Sequence, residues 1–314
     1  MDYHKVLLEQ IKRILPENYK IADMLMDTLS ISRESAYRRI RNEVPFTFEE
    51  IAVLAKDYGI SLDNLAGIEA EKSKPFQLKL PEFISPKNED VFLYEDFIGF
   101  LDRISVMPDT ELGIVTNEIP QYIFCGFENL TKFNIFKWQY YYHNNNIIPY
   151  HELVVPEVVK RSMHNQFEKL KCIKKSYYVF DKYIFKKVIK ELEYFNCINL
   201  IKDEDVNAVK KDLNAILEYI ELLTITGRFK ETNNEVLIYI SDMDITNSYS
   251  YIKNKEMNYS LIKTFILTSV TSFESKTFRK IWDWIQATLR TATQITCANE
   301  ISRIQFLNYQ RQCI

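Results

Sequence analysis

Ile-Ala-Asp-Met-Leu-Met-Asp-Thr-Leu-Ser-Ile-Ser-Arg-Glu-Ser-Ala-Tyr-Arg-Arg-Ile-Arg-Asn, residues 21 to 42, reads as two short helices joined by a tight turn. In the first, Ile21, Met24, Leu25, Thr28 and Leu29 recur at spacings of three and four, the signature of one buried face. Ser30-Ile31 is the turn, and Ser32 is placed to N-cap the second helix, in which Ala36 and Ile40 share the inner face. Ser32, Arg33, Glu34, Tyr37, Arg38 and Arg41 are left facing outward. Guanidinium forks match guanine edges and phosphates in a bidentate manner, so this outward set suits the major groove of double-stranded DNA.

The flanks fit a small domain built around this pair. Val6, Leu7, Ile11 and Leu15 form an amphipathic helix ended by Pro16. Thr47 with Glu50 three residues later is a capping box for a helix carrying Ile51, Leu54 and Ala55 and ending at Gly59. Ser61 opens a last short turn through Leu62 and Leu65. Five helices in about 67 residues, the second and third forming the turn motif, resemble the Cro/C1-type (XRE-like) repressor domain. Leu25-Met26-Asp27-Thr28-Leu29-Ser30-Ile31-Ser32 carries the resemblance, lying over that family's Leu-Ala-x-x-Leu-Gly-hydrophobic-Ser pattern. Met26 stands where the family has a small residue, Ser30 replaces the turn glycine, and Ile40 falls one place late. The resemblance implies DNA reading by the second helix of the pair; a protein-interaction adaptor of the same shape is the alternative.

Charge qualifies the reading. Residues 1 to 70 hold nine Lys and Arg against twelve Asp and Glu, although residues 33 to 41 alone hold four arginines and one glutamate. Neutralising phosphates supplies most non-specific affinity, so weak non-specific binding and a homodimer on two half-sites are expected. Lys5, Lys12, Arg13 and Lys20 are candidates for added backbone contacts.

The whole chain has 314 residues, is 46% hydrophobic and carries a net charge of -3, which suits two or three domains and argues against a general nucleic-acid coat. No apolar run reaches the roughly 18 residues of a membrane span, so no membrane partner and a cytoplasmic location are expected. Five scattered cysteines without a Cys-x-x-Cys pair fit reduced, mostly buried thiols and no zinc site. The pattern dissolves between Gly67 and Pro86, which marks a linker at 69–87 between a DNA-binding domain at 1–68 and a larger unit at 88–314. The expected fold is mainly α: the five-helix helix-turn-helix domain plus a helix-rich α+β regulatory or dimerisation unit.

In that unit the pattern predicts a helix at 90–105, a strand at 112–116, and an aromatic helix from Phe127 onward. Helices follow at 156–171, 180–195 and 203–225, then strands at 236–240 and 262–270, a helix at 276–295 and a short helix from Glu300. Val209, Leu213, Ile216, Ile220 and Leu223 step as a heptad seam, readable either as core or as a pairing surface. Asn117-Glu118-Ile119-Pro120 before the aromatic helix, Phe133 to Trp138, and the tail Glu300 to Phe306 resemble a set of bacterial regulators with an N-terminal Cro/C1-type domain. That resemblance implies regulator status and names no ligand.

Other chemistry is thin. Ser241-Asp242-Met243-Asp244-Ile245-Thr246 after an apolar strand is similar to the Asp-x-Asp-x-Thr nucleophile motif of haloacid-dehalogenase-like phosphatases, which makes a phosphatase-like hydrolase the enzymatic alternative. The competing reading is a turn in which the two aspartates cap backbone amides. Four histidines lack metal-ligand spacing, and no Gly-x-Ser-x-Gly or glycine-rich phosphate loop exists. Neither catalytic residues nor metal nor cofactor is therefore expected. Tyr122, Phe124, Phe127, Phe133, Phe136, Trp138 and Tyr140 to Tyr142 are either core or the lining of a pocket for an unidentified small-molecule or protein effector.

Overall fold

The computed structural model describes residues 3–15, 20–58, 60, 62, 65, 91–142, 147–255 and 257–314, with the backbone alone for 13, 14, 91–97 and 142. The chain divides into two compact units, Met1–Gln77 and Leu78–Ile314, and the division falls inside the stretch read as linker, which itself lies outside the described residues.

In the smaller unit four helices are described: α1 (Tyr3–Ile14), α2 (Ile21–Leu29), α3 (Arg33–Ile40) and α4 (Phe48–Tyr58). Leu7, Ile11, Ala22, Met24, Leu25, Ala36, Phe46 and Leu54 form their shared core, joined by Ile60 and Leu65. The capping box closes as its sequence predicts: Thr47 N–H donates to Glu50 at 3.0 Å, and Glu50 N–H donates to Thr47 Oγ1 at 3.2 Å. Pro16, Gly59 and Ser61, the expected stops and the start of the fifth helix, lie outside the described residues. Ser30 caps α2 with φ of 52°, so the position that holds glycine in the Cro/C1 pattern keeps its left-handed backbone here.

The larger unit is α+β, as expected of it, and the seven-stranded mixed sheet that organises it makes the fold as a whole mixed α+β rather than mainly α. Its elements are α5 (Val91–Ser105), β1 (Glu111–Thr116), α6 (Gln121–Phe124), α7 (Glu128–Tyr142), α8 (Glu157–Leu170), β2 (Lys175–Asp181), α9 (Ile184–Cys197), α10 (Asp203–Thr226), β3 (Glu235–Ser241), β4 (Tyr249–Lys253), β5 (Asn258–Lys263), β6 (Ser269–Ser272), α11 (Ser275–Thr291), β7 (Thr293–Gln294) and α12 (Glu300–Cys313). Strand order is β6-β5-β4-β1-β2-β3-β7. β1, β2 and β3 are parallel, and the rest pair antiparallel. Parallel neighbours need long crossovers, and helices α6 to α10 are those crossovers.

Three predictions change. The helix read at 180–195 begins at Ile184, and the residues before it form β2, the strand between β1 and β3. The run 262–270 is not one strand: β5 ends at Lys263, and Thr264 N–H turns back to the Thr268 carbonyl at 3.2 Å before β6. The helix read at 276–295 ends at Thr291, and Thr293–Gln294 form β7. The heptad of α10 resolves as core, with Val209, Leu213, Ile216, Ile220 and Leu223 at 3% exposure or less.

Side-chain alternation divides the sheet into two faces. Leu112, Ile114, Tyr178, Phe180, Val236, Ile238 and Ile252 point into the main core under the crossover helices and α12. Val115, Val179 and Tyr251 point the other way, where Phe278, Ile281 and Ile285 of α11 cover them. Gly113 sits on that second face opposite Tyr251, and a Cβ there would lie 2.2 Å from the tyrosine ring, so only glycine lets the ring cross the strand.

Candidate functional site: the outer face of α3

Ser32 N-caps α3, its Oγ accepting from Ser35 N–H at 3.3 Å, and Ala36 is the helix's one fully buried residue. A small residue at the contact seats α3 close against the core and leaves the long side chains outside. Ser32, Arg33, Glu34, Tyr37 and Arg38 are all exposed, as the periodicity predicts. Arg41 is exposed too, but the helix ends at Ile40, and Arg41 is its C-cap, donating from the backbone to Tyr37 and Arg39 carbonyls.

Arg39 belongs to a different structure. Its side chain is 13% exposed and grips Glu50 through Nη2 at 2.5 Å and Nε at 3.0 Å. Because Glu50 also holds Thr47 N–H, this fork ties α3 to the N-terminus of α4. The Arg39 carbonyl meanwhile accepts from His4 Nε2 at 2.6 Å, joining α3 to α1. Burial raises the Glu50 pKa, and the Arg39 hydrogen bond, the Thr47 N–H and the guanidinium charge outweigh it, leaving the carboxyl below its ordinary value.

Sequence periodicity gave no sign of how the outward arginines are occupied. Arg33 lies 3.7 Å from Asp23 on α2, and Arg38 lies 3.9 Å from Glu43. Arg41 holds Glu43 in a fork at 2.7 and 3.1 Å and lies 3.6 Å from Glu34. The Arg41 hydrogen bond is the main reason the Glu43 carboxyl sits below its ordinary value. Three arginines and three carboxylates therefore interleave on one exposed face, all of them open to solvent. Pairs this exposed are weak and exchange readily, so the guanidiniums are screened rather than consumed.

The second candidate region is a cleft at the carboxyl end of β1, where open α/β sheets often hold ligands. It encloses about 410 Å³, part of it open to solvent, and is lined by Thr116, Glu118, Tyr122, Ser250 and Lys263 among others. Lys263 Nζ pairs with Glu118 at 2.6 Å, and Thr116 Oγ1 meets Ser248 Oγ at 2.8 Å. Of the aromatic set read as a candidate effector pocket, only Tyr122 lines this cleft. Phe124, Phe133, Phe136 and Trp138 are core residues, and Phe127 packs on Phe167. Tyr140 stacks edge-on to Phe195, and Tyr141 is 64% exposed.

Asp242 and Asp244 are exposed in the loop after β3. The capping expected of them is done by others: Ser241 Oγ accepts from Met243 N–H at 3.2 Å, and Asp181, at the end of β2, accepts from Ile245 N–H at 3.1 Å. Among the described residues no cluster of three His, Cys, Asp or Glu is arranged to hold a metal ion. The cysteines are all unpaired, with Cys125 buried and Cys197 and Cys297 exposed, which corrects the expectation of mostly buried thiols. No helix among the described residues is long and apolar enough to cross a membrane.

Comparison with protein-family models, with characterised proteins and with solved structures returns no match for this chain.

Proposed function

We propose that the chain is a DNA-binding transcription regulator of Cro/C1 type, in which α3 enters the major groove and the larger unit supplies sensing, dimerisation or both. The observation that carries the reading is α3 itself: a Ser32-capped helix of a helix-turn-helix pair, seated through Ala36, with Arg33, Glu34, Tyr37, Arg38 and Arg41 on its open side. Arg33 and Arg38 are the base readers of this reading, and Arg41 at the C-cap is a backbone contact. A palindromic operator requires a two-fold protein, so the working form is a homodimer. The cytoplasm is its place of work.

A genome-wide binding selection with the intact protein supplies the operator. On it, Arg33→Ala and Arg38→Ala each weaken binding by about 1 to 3 kcal/mol and relax specificity at one base position. Wild-type affinity in both purified variants would remove α3 from the groove. The interleaved carboxylates favour a second reading, a protein-interaction adaptor, since a face of balanced charge also suits a polar protein partner. Failure of the selection to enrich any DNA, with a folded protein, would favour the adaptor. The phosphatase-like alternative predicts Mg²⁺-dependent ester hydrolysis abolished by Asp242→Asn.

A further inference from the structure

Helix α11 is amphipathic in an uncommon sense. Its inner side, Phe278, Ile281 and Ile285, is buried on the sheet, while its outer side gathers Lys276, Arg279, Lys280, Asp283, Trp284 and Arg290. At about 100° per residue these six positions fall on one side of the helix. Four are cationic and one is acidic. All are exposed, and Trp284 at 60% is the most open of the chain's three tryptophans. Arg279, Lys280 and Arg290 have no carboxylate partner among the described residues.

That arrangement is costly to keep for packing alone. An indole facing water forgoes the burial that makes tryptophan useful in a core, and adjacent cations such as Arg279 and Lys280 repel. A polyanion offsets both: it neutralises the cations and accepts the indole N–H. We propose that the outer face of α11 is a nucleic-acid surface that docks on the phosphate backbone of a DNA duplex. The proposal rests on the DNA-binding reading and adds a contact that α3 does not supply. Residues 1 to 70 carry more acid than base, and the outward arginines of α3 lie beside their own carboxylates, so phosphate neutralisation is scarce there. From Lys276 to Arg290 the helix advances about 21 Å, enough to lie along several successive phosphates. Backbone docking of this kind carries no sequence information, which leaves reading to α3.

The test uses the full chain and a fluorescein-labelled duplex of unrelated sequence, titrated across a range of salt. R279Q/K280Q/R290Q is expected to weaken binding on the order of tenfold and to flatten the slope of log K against log salt by about 2.7. Weakening should be equal on unrelated duplex and on operator. Trp284 emission should be quenched as duplex is added to wild type, and Trp284→Phe should lose that signal. The control is K186E/K187E/K190E on the exposed side of α9, which changes bulk charge more strongly while leaving α11 intact. Wild-type slope in the α11 variant, equal weakening by the α9 control, or a Trp284 response to phosphatidylglycerol vesicles and none to duplex would each overturn the proposal while leaving α3 untouched. Absence of DNA binding by wild type on every duplex would instead remove the DNA reading, and this surface with it.

Discussion

Helices α3 and α11 both turn arginines to solvent, yet they are held down in opposite ways. α3 rests on one small buried side chain, Ala36, and on a polar clamp, the Arg39–Glu50 fork and the His4 hydrogen bond. α11 rests on an apolar bed in which Phe278 meets Tyr251 edge-on at 5.8 Å, with Ile281 and Ile285 alongside. A polar clamp fixes direction with few atoms and leaves most of a short helix free to face a partner. An apolar bed supplies more energy, about 1.5 to 3 kcal/mol for each large side chain, and holds a long helix whatever its outer face carries. The exposed charges follow suit: Arg33, Arg38 and Arg41 at α3 each lie beside a carboxylate, whereas Arg279, Lys280 and Arg290 of α11 form no ion pair with a described residue.

The largest expected effect comes from breaking the apolar bed. Gly113→Ala places a methyl within 2.2 Å of the Tyr251 ring, whose hydroxyl is fixed by donating to Glu111 at 2.5 Å and accepting from Gln286 at 3.3 Å. The ring must leave its slot, and the larger unit should lose about 2 to 4 kcal/mol. All three tryptophans, 138, 282 and 284, lie in that unit, so their emission in urea reports it without interference from the smaller one. A shift below about 0.5 kcal/mol would mean that Tyr251 is not the anchor of α11.

The same contrast explains what the sequence made legible. Polar devices announce themselves locally: Thr47 with Glu50 and Ser32 before α3 were readable as caps because each works within three residues. The sheet was harder. β2, Lys-Ser-Tyr-Tyr-Val-Phe-Asp, is buried on both sides over its second half, so it lacks the alternation that marks a half-exposed strand and merged with the helix behind it. Its run Tyr177 to Phe180, all of high strand propensity, was the signal available. The β5–β6 turn hid for a related reason: it contains neither Gly nor Pro, and Leu267 folds back into the core, so turn and strands read as one apolar run. Of the α3 face, the side-chain directions were legible, but Asp23 and Glu43 were not, since neither belongs to the helix they screen. Arg39 falls outside the outward set in the sequence, but its partner Glu50, eleven residues on, was not legible there.

The polar clamp should break with a smaller effect than the bed. Arg39→Ala leaves the Glu50 carboxylate, 17% exposed, without its guanidinium and is expected to destabilise the smaller unit by about 2 to 3 kcal/mol. The pH dependence gives an independent check. Because the folded Glu50 pKa lies below its ordinary value, its contribution is complete above the unfolded carboxyl pKa and fades as pH falls through the lowered folded one. Acid titration of helicity should therefore be less steep in the variant than in wild type below about pH 4.5. Identical acid profiles would show that the fork orients α3 without stabilising it.

Glu43→Gln probes the screening and should hardly touch stability. Glu43 lies on an exposed turn, and losing its charge breaks no packing, so the melting profile should match wild type. What changes is the face: Arg41 loses the charge and one of the two acceptor oxygens of its fork, and Arg38 loses its nearest carboxylate. If α3 faces DNA, binding to unrelated duplex at low salt should tighten by roughly three- to tenfold and operator binding by less, because the carboxylate opposes phosphates everywhere and correct bases nowhere. The acid would then act as a filter, lowering idle affinity so that base contacts decide where the protein rests. Equal tightening on both duplexes would reduce Glu43 to an ordinary surface charge, and no change on either would place α3 away from the groove.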